Sequence, residues 1–254
     1  MTYYAKKGGQ TLVDIHCHIL PEFDDGASSP DEAIAMAHMA AASGVTAIVA
    51  TPHFPGKSSS LQRIPDLLDR YDWLRRALRT QGLPLKIYPG AETLCLPETP
   101  DLAARRALPT IGESSYLLTE FYFNESFAYM DEMLAELSAC GYTPVVAHPE
   151  RYHVIGTTPA LLERWMDKGY VLQLNKGSLL GAFGPQVRDT ALEALDAGFA
   201  HLVASDAHGA NRRTPHMGQL RHWLKETYGE KVTEILLDRN PARLIADKGL
   251  IPLK

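Results

Sequence analysis

Cysteine is scarce in this chain of 254 residues: Cys17, Cys95 and Cys140 are an odd three with no CxxC pair. That argues against a disulfide framework and fits a reducing compartment. None of the three is followed six positions later by arginine, so the CxxxxxR loop of thiol phosphatases, and with it a phosphocysteine route, is missing. Long basic runs are missing too. With 25 Lys and Arg against 30 Asp and Glu, the formal charge is -5, and nucleic acid is not an expected partner. The most apolar window, 33-AIAMAHMAAASGVTAIVA-50, is interrupted by His, Ser, Gly and Thr; it reads as helix, turn and strand rather than a membrane span. The amino-terminal MTYYAKKGGQ lacks the apolar core of a signal peptide. A cytoplasmic protein without membrane insertion is expected.

There is no repeat, no low-complexity tract and no linker long enough to divide the chain, which leads us to expect one domain over residues 1–254. Short β-branched runs recur instead: 12–16, 45–51, 85–90, 116–120, 143–148, 170–175 and 201–206. Helical patterns fill the intervals at 30–43, 61–82, 126–140, 159–169 and 185–198, and Gly44, Gly82, Gly141, Gly169 and Gly198 stand where they should stop. Two more follow at 217–229 and 231–249, with a break expected near Asn240-Pro241. Strands alternating with helices imply parallel pairing through right-handed crossovers. Seven units suggest a closed or nearly closed barrel, one strand short of the usual eight; a doubly wound open sheet is the alternative.

The chemistry stands at the carboxyl ends of these strands. The first ends in 14-DIHCH-18, where strand alternation turns His16 and His18 the same way and Cys17 the other. Asp25 follows in the loop. The next ends carry His53, Glu92, Glu120, then His148 and Arg151, then Asn175 and Lys176, then Asp206 and His208. A parallel barrel opens all of these ends on one face, where such folds place their chemistry. Taken singly, each has an ordinary reading: a lone strand-end carboxylate is more often a helix cap, and His53 would be a loop histidine. Together, five histidines and four carboxylates on one rim would leave buried charge unpaired. Divalent metals resolve this. Imidazole and carboxylate without thiolate suit Zn, Mn or Fe, and nine donors point to three ions.

The motifs DIHCHILPEFDDGA, ATPHF, GAE, TEF, AHPERY, LNKGS and ASDAH, in this order over nearly the whole chain, resemble the polymerase-and-histidinol-phosphatase (PHP) superfamily. They are most similar to the bacterial PHP-type protein-tyrosine phosphatases encoded with capsule and exopolysaccharide loci. The resemblance implies a distorted (βα)7 TIM-like barrel with a trinuclear centre. His16, His18, Glu92 and Asp206 would hold one ion; Glu92 would bridge to a second held by Glu120 and His148; Asp25, His53 and His208 would hold the third. Mn is the expected metal, with Fe or Zn as alternatives. Arg151 and Arg213 would bind phosphate, although Arg212 sits beside the second. Four carboxylates and three divalent ions leave such a site at about +2, which attracts a phosphate dianion. The implied substrate is a phosphotyrosine-bearing tyrosine autokinase controlling exopolysaccharide synthesis. The rival readings are a phosphatase of a small metabolite such as histidinol phosphate and a non-catalytic metal-binding regulator. Asp25 and Glu120 favour the tyrosine-phosphatase branch, because some carboxylate positions are histidines in the histidinol-phosphate branch.

Other positions read as ordinary. Cys17 is expected to be a buried small apolar residue, Asp14 structural or supporting, and Lys176 solvated rather than anion-binding. His153, His201, His216 and His222 are expected at the surface or behind the ligands. Phe54, Phe121, Tyr122 and Tyr152 are the rim aromatics that are candidates to flank a substrate ring, with packing on the barrel as the alternative for each, and the polar loop 55–63 is a candidate lid.

Overall fold

The computed structural model describes residues 11–253. The chain runs β1 (Leu12–Cys17), α1 (Pro30–Ala42), β2 (Val45–Ala50), β3 (His53–Pro55), α2 (Ile64–Thr80), β4 (Lys86–Pro89) and β5 (Glu92–Leu94). It continues through α3 (Thr99–Ala104), β6 (Tyr116–Glu120), α4 (Phe127–Ala139), β7 (Thr143–Ala147), α5 (His153–Thr157) and α6 (Leu161–Asp167). Then come β8 (Val171–Asn175), α7 (Lys176–Leu179), α8 (Pro185–Ala197), β9 (Leu202–Ala204), α9 (Gly218–Glu234) and α10 (Asn240–Ile245). The fold is mixed α/β with parallel sheets: β1-β2-β4 form one, β3-β5-β6-β7-β8-β9 the other.

Helix α1 shows why these segments fold as they do. Ser29 caps it by accepting the Glu32 N–H, Pro30 sits in its first turn beside Asp31 and Glu32, and Ala33, Met36, Ala37 and Ala40 are buried on one stripe. The strands are covered on both faces, as parallel strands are. Leu12, Ile48, Leu117, Val146, Leu172 and Val203 pack with the helices in the main core. Val13, Ala47, Leu118, Val145, Val171 and Leu202, from the alternate positions, form a second, smaller core.

Two expected strands are each cut in two. The run 45–51 ends at Ala50 and resumes as β3; 85–90 ends at Pro89 and resumes as β5. Pro52 has no N–H for a ladder; its carbonyl accepts the Glu92 N–H at 3.0 Å. Gly90 lies so close to β2 that a Cβ there would meet Val49 Cγ1 at 2.7 Å. The severed tips carry His53 and Glu92 at paired positions. Near the carboxyl terminus the helix does not break at Asn240-Pro241. A five-residue π segment, Ile235–Arg239, precedes α10 instead, which absorbs the donor that Pro241 lacks. The break falls at Gly229, whose φ is 82°.

The loop after β9 returns to β1. Asp206 N–H donates to His16 O (2.8 Å), His18 N–H donates to Ala207 O (2.9 Å), and Cys17 bridges Ala207 in parallel. Asp14, fully buried, accepts from Ser205 N–H (3.0 Å) and Ser205 Oγ–H (2.5 Å). Among the described residues no helix is long and apolar enough to cross a membrane.

Candidate metal centre

All nine strand-end donors meet in one place. Their ligand atoms form four overlapping groups, each within 4.8 Å: His18, Asp25, His53 and His208; His16, Glu92 and His148; His16, His18 and Asp206; His53, Glu92 and Glu120. His16, His18, Glu92, His148 and Asp206 are buried, Glu120 is 15% exposed, and Asp25, 68% exposed, stands at the mouth. The grouping differs from the sequence-based one: His18 also falls with Asp25, His53 and His208, Glu92 is not grouped with His16, His18 and Asp206, and Glu120 and His148 join Glu92 in separate groups, with His53 and with His16.

The backbone is bent to present them. His148 (φ 36°), Asp206 (φ 49°) and Arg213 (φ 48°) all adopt left-handed conformations, which cost a non-glycine residue about 1–3 kcal/mol each unless the surroundings impose them. The β1 ladder slips register between Asp14 and Cys17, and Cys17 packs in the main core while Val13 and Ile15, of the same parity, pack in the second.

Proton placement tests whether a cation fits. The amide of Gln173 is oriented by its own Nε2–H on Leu174 O (2.7 Å), so its Oε1 accepts from His16 Nδ1–H (2.9 Å). Asp24 Oδ2 likewise accepts from His18 Nδ1–H (2.7 Å). Both Nε2 atoms then carry lone pairs, and they face each other at 3.2 Å. His208 Nδ1 lies 3.0 Å from Asp206 O, which turns its Nε2 lone pair toward Asp25 Oδ1 at 3.6 Å. Glu92 Oε2 is buried without a hydrogen-bond donor. Opposed lone pairs around a buried carboxylate are a donor set for cations, and the outer hydrogen bonds are of the kind that fix ligating imidazoles.

Without ions the carboxylates draw protons instead. Burial opposes charge on His16, yet Glu92 and Asp206 outweigh it and raise its pKa to about 9. Burial likewise opposes charge on His53, while Glu120 and Glu92 raise it to about 11. Burial resists ionisation of Asp206, but His16, His148 and Arg213 hold it at about 2. His208 falls to about 4, through burial first and then the neighbouring His18.

The arginines separate cleanly. Arg213 Nη2 reaches Asp206 Oδ2 at 2.5 Å, and Arg151 Nη1 reaches the same oxygen at 3.4 Å; Arg212 is exposed. The Arg151 guanidinium lies between two rings, 4.4 Å from the centroids of Phe123 and Phe183. Asn175 Nδ2–H also donates to Asp206 Oδ2. Lys176 is neither solvated nor at the donors: its ammonium, on a residue only 8% exposed, donates to the carbonyls of Thr214 and His216. Among the aromatics, Phe54, Phe121 and Tyr152 are buried in the core and unavailable to a substrate; Tyr122 and Phe123 are the exposed ones. Residues 58–63 form a 3₁₀ turn leading into α2, with Arg63 bonded to the Phe23 carbonyl and stacked on its ring.

Sequence reasoning missed Asp24, Gln173, Phe123 and Phe183. Gln173 was within reach, since it shares parity with Asn175 in 170-YVLQLN-175. Asp24 was hidden beside Asp25 in a loop without periodicity.

A family model for capsular polysaccharide synthesis, CpsB/CapC, matches residues 12–246. The tyrosine-protein phosphatase YwqE of Bacillus subtilis (strain 168) is 35% identical over 228 residues, 89% of each chain. The tyrosine-protein phosphatase CpsB of Streptococcus pneumoniae is 28% identical over 244 residues, 93% of this chain and 99% of its own. A crystal structure from work on YwqE and CpsB, described as unique metal-dependent tyrosine phosphatases, superposes with a TM-score of 0.85 at 32% identity, covering 95% of this chain and 97% of its own.

Proposed function

This chain belongs to the CpsB/CapC family of capsular polysaccharide synthesis proteins, and from that premise we propose that it is a metal-dependent protein-tyrosine phosphatase. One observation carries the reading: nine imidazole and carboxylate donors converge, and two arginines reach the edge of the same cluster at Asp206. When bound, divalent ions supply Lewis acidity and the charge that makes water nucleophilic near neutral pH. His16, His18, Asp25, His53, Glu92, Glu120, His148, Asp206 and His208 would hold them. Nine donors in overlapping groups are more than one or two ions need, which supports a count of three, and the four carboxylates among them suit Mn.

The chain's own groups bind and orient the ester. Arg151 and Arg213 offer fixed guanidinium donors to the phosphate oxygens, and Asn175 keeps Asp206 in place between them. The exposed faces of Tyr122 and Phe123 stand ready for an aryl ring. Phosphotyrosine fits better than phosphoserine for two reasons: its phosphate stands farther from the peptide backbone and reaches a recessed cluster, and a phenolate leaves with less help from an acid.

We read the nine strands as seven staves of a distorted (βα)7 barrel in one domain, β2 with β3 and β4 with β5 each counting as one. The alternation of side chains between two cores and the β1-to-β9 bridge support this. The natural substrate we infer is a tyrosine autokinase of exopolysaccharide synthesis, met in the cytoplasm; free Cys17, Cys95 and Cys140 fit that compartment. The test is kcat/KM with Mn²⁺ on two peptides differing only in phosphotyrosine or phosphoserine. A preference of at least tenfold for phosphotyrosine is expected, on the order of 1.4 kcal/mol. Equal values, or faster phosphoserine hydrolysis, would refute the assignment.

A further inference from the structure

Beside the metal cluster, on the far side of Arg213, lies a cavity of about 570 Å³. One wall is the turn carrying Arg212, Arg213 and His216; the other is α7 with the following Phe183. Its lining includes Asn175 and Ser205, the neighbours of Asp206, and Arg213 itself, so it adjoins the arginine that would hold the phosphate.

The cavity's charge is one-sided. Lys176, Arg212 and Arg213 line it and no carboxylate does, in a protein with five more acidic than basic residues (30 against 25). Two of the three cations are occupied, Arg213 by Asp206 and Lys176 by the carbonyls of Thr214 and His216. Arg212 is exposed and makes no ion pair among the described residues. The wall that holds it is fastened, because the buried Lys176 ammonium ties the turn at two carbonyls and the Arg213 carbonyl accepts the His208 N–H at 2.9 Å. A free guanidinium on a fixed wall, with Gln219 and His216 beside it, is a receptor for an anionic group.

We propose that this cavity is a subsite for an acidic side chain next to the phosphotyrosine, so that the enzyme selects phosphotyrosine set in acidic sequence. The inference rests on the phosphatase reading above. Neighbouring residues of an extended peptide advance by about 3.3 Å each, which lets a flanking Glu enter while the phosphate engages Arg151 and Arg213.

The experiment uses metal-loaded protein and two phosphotyrosine peptides that differ only in Glu or Gln at the flanking positions. A second pair, with a non-hydrolysable phosphonate in place of phosphate, gives Kd directly. For the wild type, KM and Kd should be about three- to tenfold lower for the Glu peptides at low salt, with kcat little changed, and the gap should narrow as salt rises. Arg212→Gln should erase the ratio and Arg212→Glu should invert it; because the residue is exposed, neither change disturbs the core. Equal constants for the Glu and Gln peptides in the wild type, or a ratio that survives Arg212→Glu, would overturn the proposal while leaving tyrosine phosphatase activity standing. Turnover of neither phosphopeptide, with the Glu phosphonate still binding tighter, would sink the phosphatase reading and keep the subsite.

Discussion

Asp24 is none of the nine donors, and replacing it with Asn should cripple the centre nonetheless. Its side chain is 5% exposed. Oδ2 accepts from His18 Nδ1–H at 2.7 Å and from the His53 N–H at 2.8 Å; Oδ1 accepts from the Gly26 N–H at 3.0 Å. Burial resists the charge, but His18 and those two N–H groups hold the pKa at about 2. An Asn must turn its NH₂ one way or the other. Facing Gly26, it sets donor against donor, a loss of about 1–3 kcal/mol. Facing His18, it forces Nδ1 to accept and moves the ring proton to Nε2, the atom that lies 3.2 Å from His16 Nε2 and 3.3 Å from Glu92 Oε2. Either way a ligand lone pair or the loop that orients it is lost. Outer partners of ligating histidines are commonly worth 10–100-fold, so Asp24→Asn should weaken metal affinity by roughly that factor, about 1.4–2.7 kcal/mol. The assay titrates Mn²⁺ into chelator-stripped protein and follows both bound metal and turnover. An Mn²⁺ affinity and a kcat equal to wild type would show that Asp24 does not set the His18 tautomer.

Gly26→Ala should act without deleting any polar group, since its Cβ would fall 2.1 Å from His18 O and 2.6 Å from His18 Cβ. Weaker Mn²⁺ binding and a Tm lower by a few degrees are expected; an unchanged melting curve and metal isotherm would count against the packing argument. Arg151→Ala should keep its metal content but lose about 10–100-fold in kcat/KM, the worth of a charge-assisted hydrogen bond; wild-type kcat/KM on phosphopeptides would remove Arg151 from phosphate binding. His201 lies away from the donors, accepts the Leu172 N–H at 3.1 Å, and is depressed by burial to about 4. As pH falls below about 6.5 the unfolded chain takes up a proton the folded ring refuses, so stability declines toward pH 4 by about 1.4 kcal/mol per unit. Urea melts at pH 6.5 and pH 5 should therefore show a drop about 2 kcal/mol smaller in His201→Gln than in wild type, and parallel drops would refute the linkage.

Much of this arrangement was legible because strand ends are marked twice, by where apolar runs stop and by which polar residue follows. His16 and His18 follow from period two alone. The severed tips β3 and β5 were not legible, since His53–Pro55 and Glu92–Leu94 are too short to show a period. The six-residue α3 escaped for the same reason. Phe123 and Phe183 come from separate loops and meet only across the Arg151 guanidinium, a three-body contact that no local pattern encodes. The aromatics chosen at strand ends, Phe54, Phe121 and Tyr152, proved to be core because large rings next to a strand pack inward more often than they reach solvent.

The joint between β1 and the segment after β9 has a consequence for the order of folding. It brings residues 14–18 against 205–208, segments whose Asp14–Ser205 contact spans 191 residues of chain, through a few hydrogen bonds and one bridge. Contacts of such wide sequence separation pay the largest loop-closure entropy and are favoured late. His16, His18, Asp206 and His208 lie on the two sides of that joint, so the donor set is complete only once these two distant segments have met. A half-folded chain in which that joint is still open therefore lacks the full site, and hydrolytic competence waits on its closure.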